Sequence, residues 1–506
     1  MKLKQFFLYT ALSVSVPLSG AEAEELHLTL EEAISRARVS SVDAAVALDE
    51  LKTSYWEYRS YRAELLPEVN FSATIPAYHR QYSPYMNDTG SYSFVRNNYL
   101  QMNGEVSLSQ NIWFTGGKIS LNTSLDFFRQ LDGDKYNRFM SIPVALTLSQ
   151  PIFGVNNIKW NRRIEPVRYT EAKAAYLSAS EDVAVKAIAY YFQLLMADEN
   201  RLIALQNLEN ARKLYDVAKE KREMGRISGN DLLQMELNLL NAESELTDCE
   251  SSRKSCMFQL RTLLDLNENT NIIPVAPSDV PRADITYEDA LQKALERNKL
   301  AANIRRRQLE ADYEVAKAKG NMRQISLFAQ IGYTGTDRRF GGAYSTLKDN
   351  QVVEIGFEIP ILDWGRRKGK VKVAESNRKV TESRLRQERA DFAQNIFILV
   401  ERYRNQMRQL EISRRADEIA ARRYAANVET FMIGKISTLD LNDSRTSKDE
   451  ARREFINELY LFWNYYYQIR SLTLWDFSAQ SGIDADFERD IRSLCLLYTS
   501  PSPRDS

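Results

Sequence analysis

The residue types that carry chemistry are few in this chain and lie far apart. The two histidines, His27 and His79, have no neighbours that would complete an acid–base or metal cluster. Cys249 and Cys256 are seven apart, about 10 Å along a helix, too far for a disulfide. They read as small, buried apolar residues. The stretch "TGGKIS" (115–120) glances at a phosphate loop, but lacks the preceding glycine and the Ser/Thr directly after lysine, so it reads as a turn. The expectation is therefore no catalytic residue, no cofactor, no metal and no enzyme.

The bulk numbers narrow the class. The chain has 506 residues, a length that ordinarily suggests two to four domains, with 68 acidic and 68 basic side chains. Balanced charge argues against a nucleic-acid partner. Hydrophobic residues make up 44%, and beyond the first twenty residues no apolar run approaches the roughly 20 needed for a membrane-spanning helix. A β-barrel stays open, because its strands show only alternation. Residues 1–23 read as a signal peptide: Lys2 and Lys4, an apolar "FFLYTALSVSV", then Ala21–Ala23 as cleavage site. The mature chain is expected from about Glu24, outside the cytoplasm, and the lack of a cysteine after the cleavage site argues against a lipid anchor. At the other end, "CLLYTSPSPRD" resembles a translated sequencing adapter, so 495–506 is set aside as an artefact and 476–494 is read as a C-terminal extension.

One phrase occurs twice. "EMGRISGNDLLQMEL" (223–237) returns as "MIGKISTLDLNDSRT" (432–446), 209 residues later. Each has a glycine, a base, Ile, Ser and an Asp six residues after the glycine. Gly225 and Gly434 suit the positive φ of a tight helix–helix turn, and Ser228 and Ser437 suit the caps of the outgoing helices. The tips belong to a larger duplication. "LTLEEAISRA" (28–37) answers "ITYEDALQKA" (285–294), each a helix start with a Thr cap and acids in the first turn. The first copy spans 24–268 (strands about 67–152, hairpin about 157–266, tip 224–231). The second spans 285–475 (strands about 325–361, hairpin about 366–472, tip 433–440). Between them, 269–284 reads as a proline-rich linker.

The elements follow from periodicity. Ala204, Leu208, Ala211, Tyr215 and Ala218 step by four and three. Leu232, Met235, Leu239, Ala242, Leu246, Cys249 and Cys256 keep that frame beyond the turn. Tyr403, Leu410, Tyr424 and Phe431 repeat it, with Asp417 interrupting. Such seams predict coiled-coil packing, with a first arm over about 167–222, roughly 80 Å long. Alternation predicts four strands in the first copy, around Val69–Ile75, Leu100–Leu108, Ile119–Phe127 and Met140–Leu148. It predicts two in the second, around Leu327–Tyr333 and Val353–Ile359. One soluble sheet packed on a helix would look the same. Loop lengths favour a barrel: a tyrosine-rich loop (78–99), "RQLDGDKYNRF" (129–139) and 334–350 lie away from the helices, and a tight turn at Gly116–Gly117 lies beside them.

With the signal peptide, these pieces, above all "SQPIF" (149–153), "PILDWGRRKGKV" (360–371) and the paired tips, resemble the TolC-like family of outer-membrane efflux channels over about 26–475. The resemblance implies a mixed α/β membrane protein. A trimeric outer-membrane β-barrel would be continued by a long periplasmic α-helical coiled-coil barrel. It implies a homotrimer in outer-membrane lipid that takes no nucleic acid and acts as a passive exit duct. A periplasmic adaptor protein and an inner-membrane RND-type or ABC-type transporter would dock on the tips, at Gly225, Arg226, Ile227, Ser228, Gly434, Lys435, Ile436 and Ser437. It also assigns Asp440 and Asp443, three apart and so on one helix face, to the periplasmic gate constriction. Alternatively Asp440 complements a helix N-terminus, as Asp231 does in the other copy.

The family places a gate-locking base where this chain has Ile436, with Lys435 adjacent, and a tyrosine where it has Phe431. The family's usual two-plus-two strands give twelve per trimer, whereas six per chain would give eighteen if the hairpin at about 99–131 joins the wall. That hairpin could instead lie outside the membrane. "GRRKGKVKV" (365–373) and "IKWNRR" (158–163) read either as lipid-phosphate contacts or as solvated helix starts. Rival functions are the exit duct of a type I protein secretion system and a non-pore periplasmic coiled-coil scaffold.

Overall fold

A computed structural model of the chain describes residues 25–86, 90–132, 135–322, 324–358, 362–432, 435–436 and 438–483. The expected signal peptide, residues 495–506 that the sequence reading sets aside, Gly434 and Ser437 lie outside them. In chain order the elements are β1 (Glu25–Leu28), α1 (Leu30–Ser40), α2 (Val42–Ala63), β2 (Glu68–Met86), β3 (Tyr92–Ile112), β4 (Gly117–Gln130) and β5 (Asn137–Pro151). There follow α3 (Asn157–Glu223), α4 (Gly229–Leu264), β6 (Asn271–Pro274), α5 (Tyr287–Arg297), α6 (Lys299–Gly320), β7 (Gln324–Asp337), α7 (Phe340–Ser345) and β8 (Leu347–Glu358). Last come α8 (Arg366–Met432), α9 (Thr438–Thr473) and a minimal hairpin of β9 (Trp475–Asp476) and β10 (Ser481–Gly482).

The helix lengths match between halves. α1 and α5 have 11 residues, α2 and α6 have 22, α3 and α8 have 67, and α4 and α9 have 36. Thr29 and Thr286 cap α1 and α5 as the sequence suggests, and Glu32 closes a capping box on Thr29. The single helix expected before the strands is broken in two in both copies. Ser41 and Asn298 adopt extended backbone and cap α2 and α6, accepting from Ala44 N–H (3.2 Å) and Leu300 N–H (2.9 Å).

The chain divides into two compact units. One, made of 47–178, 285–400 and the described part of 471–506, contains a six-stranded antiparallel sheet in the order β2-β3-β4-β5-β7-β8. The hairpin at 99–131 is part of this sheet. The expected loop at 78–99 is a correction: β2 runs on to Met86 and β3 starts at Tyr92, with Tyr82 paired to Arg96 and Tyr78 to Leu100. Aromatic and β-branched residues on alternate positions favour strand over loop. Gly90, just before β3, has φ +79°. The expected loop at 334–350 also condenses, into α7, whose Ala343 carbonyl accepts from buried Ser141 Oγ at 2.6 Å. In the same unit Arg306 of α6 donates to Glu171 of α3 at 2.6 Å. The Trp475 ring lies 4.2 Å from Lys293 Nζ and 4.9 Å from the Arg297 guanidinium carbon.

The other unit comprises the described part of 1–46, 179–284 and 401–470. Here the linker reading is corrected in part. Residues 271–274 form β6 and pair in parallel with β1, Glu25 opposite Asn271 through Leu28 opposite Pro274. "NIIP" is a short apolar run, and Ile272 is fully buried. The Tyr191 hydroxyl, on α3, lies 2.9 Å from Leu28 O and 2.6 Å from Val275 O, fixing that ladder to the helix. Tyr403 of α8 likewise donates to Ala283 O at 3.3 Å.

The seam residues are the shielded ones. Ala204, Ala218, Ala242, Tyr403 and Leu410 are buried, and Leu232, Met235, Leu239, Leu246, Cys249 and Cys256 half-buried. Asp417, which interrupts the seam, meets Arg452 of α9 at 3.4 Å, and Arg452 reaches Glu199 of α3 at 2.6 Å.

Glu181 is the most enclosed charge in this unit, its side chain 1% exposed between Arg38 and Arg470. Removing one member of a buried ionic cluster leaves uncompensated charge, at about 3–5 kcal/mol. Glu181→Ala is expected to lower the unfolding free energy of the purified protein by an amount of that order, read as a lower midpoint in urea titration. An unchanged midpoint would mean that both guanidiniums find water.

Candidate functional site

Two surfaces stand out, and both are built by simple periodicities. In the sheet unit, strand pairing aligns side chains of one kind in rows. Val69, Leu108, Leu121, Leu146 and Ile331 stand opposite one another across β2, β3, β4, β5 and β7. All five are exposed, and Phe71, Val353, Ile355 and Phe357 extend the same face. The other face carries Glu68, Ser109, Ser120, Thr147 and Gln330 in one row and Asn70, Ser107 and Asn122 in the next. An apolar face this broad and open to solvent marks contact with lipid or another protein.

Aromatic residues bracket it. Exposed Trp113, Phe114, Phe153 and Trp364 lie at the end of the sheet from which the helices leave, and Tyr78, Tyr82, Tyr92 and Phe94 toward the other. Val69 to Tyr78 covers nine steps of strand, about 30 Å at 3.3 Å per residue. At a tilt of about 40° that is roughly 23 Å of height, close to the apolar band of an outer-membrane barrel.

The second surface is the pair of helix–helix turns. After α3, Gly225 N–H donates to Arg222 O (2.9 Å) and Arg226 N–H to Lys221 O (2.8 Å), the two bonds of a Schellman cap. Gly225 has φ +70°, with open space where a Cβ would stand. Arg222 Nη1 then donates to Ile227 O at 3.0 Å, so the side chain of the last turn closes the loop. Ser228 caps α4: its Oγ accepts from Asp231 N–H (3.1 Å), while Asp231 accepts from Ser228 N–H (3.0 Å) and Oγ–H (2.8 Å). Those donors hold the Asp231 carboxyl below its ordinary range, the side-chain bond contributing most.

In the second turn Lys435 N–H donates to Thr430 O at 3.1 Å, at the spacing that joins Arg226 to Lys221. Lys435 is exposed and Ile436 half-buried. Asp440 is exposed in the first turn of α9, at the N3 position that Asp231 occupies in α4. Asp443, one helical turn on, is bound by Arg423 of α8 at 2.7 Å, with both side chains more than half exposed.

The matched sequence decides what these surfaces belong to. Residues 33–265 and 290–472 match the outer membrane efflux protein family. The chain is a member of that family. This efflux protein is therefore an outer-membrane protein, and no helix among its described residues is long and apolar enough to cross a membrane. Solved structures of similar fold include the CmeC outer membrane channel of Campylobacter jejuni (18% identity, 92% of this chain and 88% of that one, TM-score 0.64). VceC from Vibrio cholerae is another (14%, 88% and 95%, TM-score 0.59), as is the MtrE outer membrane channel of Neisseria gonorrhoeae (14%, 88% and 88%, TM-score 0.58). At these identities the likeness is one of fold. None of the curated proteins compared with the chain matches it.

The residues singled out for chemistry take structural places in this efflux protein. Cys249 and Cys256 are free and half-buried on α4, and burial pushes both thiols up. His79 stacks on Tyr99 at 4.7 Å and His27 sits in β1. Gly116, with φ +78°, makes the β3–β4 turn. The described residues contain no cluster fit for a metal ion. Arg423 is the residue the sequence reading missed. It lies 20 positions before Asp443 with the turn midway between them, so antiparallel counting from the tip would have found it.

Two outcomes test the first tip. Gly225→Ala incurs only the left-handed backbone penalty, about 1–2 kcal/mol, so exchange of the 225 and 226 amides should quicken, whereas Gly225→Asn should stay near wild type. Because the Asp231 pKa is lowered by folding, its cap is complete above the ordinary carboxylate range and lost as pH falls through the folded value. Amide exchange at 228 and 231 should therefore keep the protection it has over Asp231→Ala down through the ordinary carboxylate range, about pH 4, and lose it only as pH falls further.

Proposed function

We propose that this protein is a passive exit duct of a tripartite efflux system, carrying small molecules from the periplasm or an inner-membrane pump to the exterior. Three copies surround one axis. Their sheets form the outer-membrane barrel and their helices a coiled-coil cylinder in the periplasm. A periplasmic adaptor and an RND-type or ABC-type transporter engage the two hairpin tips of each copy, at Gly225–Ser228 and at Gly434, Lys435, Ile436 and Ser437.

The observation that carries this reading is how much apolar surface one copy leaves bare. Beside the apolar sheet face, Leu233, Leu237 and Leu240 on α4 are 64%, 51% and 56% exposed at steps of four and three. Ile412 and Ile419, seven apart on α8, are 61% and 66% exposed. Side chains at these spacings form a second coiled-coil seam, on which neighbouring copies would pack. The matched helix lengths of the two halves support a duplicated plan, which lets three chains approximate six equivalent hairpins.

Asp440 and Asp443 line the constriction, six carboxylates in a trimer, whose field draws cations. Arg423 offsets Asp443 and so weakens that field. In planar lipid bilayers the detergent-purified trimer should pass ions, with cation selectivity that falls in Asp440→Asn/Asp443→Asn and rises in Arg423→Gln. A stable monomer, or a trimer that passes no ions, would overturn the duct. Unchanged selectivity in both variants would remove the constriction assignment alone.

A further inference from the structure

The six-stranded sheet has two open edges, β2 and β8. We infer that its edges pair with those of neighbouring copies, β8 of one against β2 of the next, to close an eighteen-stranded barrel with the β3–β4 hairpin in the wall. This rests on the trimeric reading above: three times six strands.

Three observations favour it. First, the hairpin carries the wall's two-faced pattern in register with its neighbours. Leu108 and Leu121 continue the apolar row from Val69 to Leu146 and Ile331, and Ser109 and Ser120 continue the polar row from Glu68 to Thr147. A hairpin standing in water would gain nothing from an exposed apolar face.

Second, exposure rises toward the edges. On the apolar face Leu108, Leu121 and Leu146 are 40–44% exposed, against 68–73% for Val69 and Phe71 on β2 and 65–73% for Val353, Ile355 and Phe357 on β8. The edge residues lack a neighbour on one side, and both edges are apolar on the same face, so one strand from each of two copies fits the gap.

Third, the strand count is even. β2 leaves the helical end and β8 returns to it, so copies placed around one axis meet with antiparallel edges, and every backbone group in the wall is paired. All six strands, 12 to 21 residues long, exceed the roughly 9–11 a membrane requires. Since barrel diameter grows about linearly with strand number, eighteen strands give a mouth about 1.5 times as wide as the twelve expected of the family. The barrel then filters by size less than the helical tips do.

Cryo-electron microscopy of the lipid-reconstituted protein would count the strands. Eighteen per particle is the expected result. A trimer of twelve strands with 99–131 outside the wall would overturn the inference and leave the duct intact, whereas a particle that is not a trimer would overturn both. A nitroxide at Leu121→Cys, with Cys249, Cys256 and Cys495 replaced by serine, gives a second reading. It should be relaxed more by oxygen dissolved in lipid than by a water-soluble nickel chelate, and the reverse order would place the hairpin in water.

Discussion

A sheet that is apolar on one side and unpaired at both edges cannot rest in water or in lipid alone. Each bare N–H or C=O in hydrocarbon costs several kcal/mol, and each exposed leucine draws the face toward something nonaqueous. This constraint shapes the remainder of the sheet unit. It explains why strand pairing keeps large apolar residues in continuous rows, and why Glu68, Ser109, Ser120 and Thr147 line up on the opposite side. It also explains the aromatic brackets, since rings with one polar edge sit well where hydrocarbon meets water.

The helices answer a different problem with similar means. Apolar residues on the long helices recur at steps of three and four between charged ones, so each helix shields a narrow stripe and leaves the rest to solvent or to neighbours. Where the stripe is broken, compensation is local. Asp417 falls in the seam and is met by Arg452; Glu181 is enclosed and is met by two arginines. The first turn is economical in the same way, relying on a glycine cap and backbone donors rather than on packing.

Much of this was legible in the residues. Caps at Thr29 and Thr286, the Gly225 turn, the seam through Leu232 and Ala242, and the six strands all follow from periods of two, three and four. The misreadings have physical causes. Tyrosine and asparagine between 78 and 99 read as loop because they are polar, yet cross-strand pairing recruits them into β2 and β3. "NIIP" reads as linker because prolines surround it, and only a parallel partner 246 positions earlier completes it as a strand. Ser41 and Asn298 hid two helix breaks, because a buried cap looks like any polar residue in a helical run. The Arg423–Asp443 pair needed a three-dimensional hairpin to be seen.

The contacts of Arg452 have a mechanical consequence. One guanidinium on α9 holds an acid from α3 and another from α8, all three groups largely shielded from water. Sliding α9 lengthwise by one turn, about 5.4 Å, would part both contacts together and strand three charges in a tight interface. Tilting the bundle about this point leaves them intact. Arg452 therefore opposes a lengthwise slide of α9 more than a tilt.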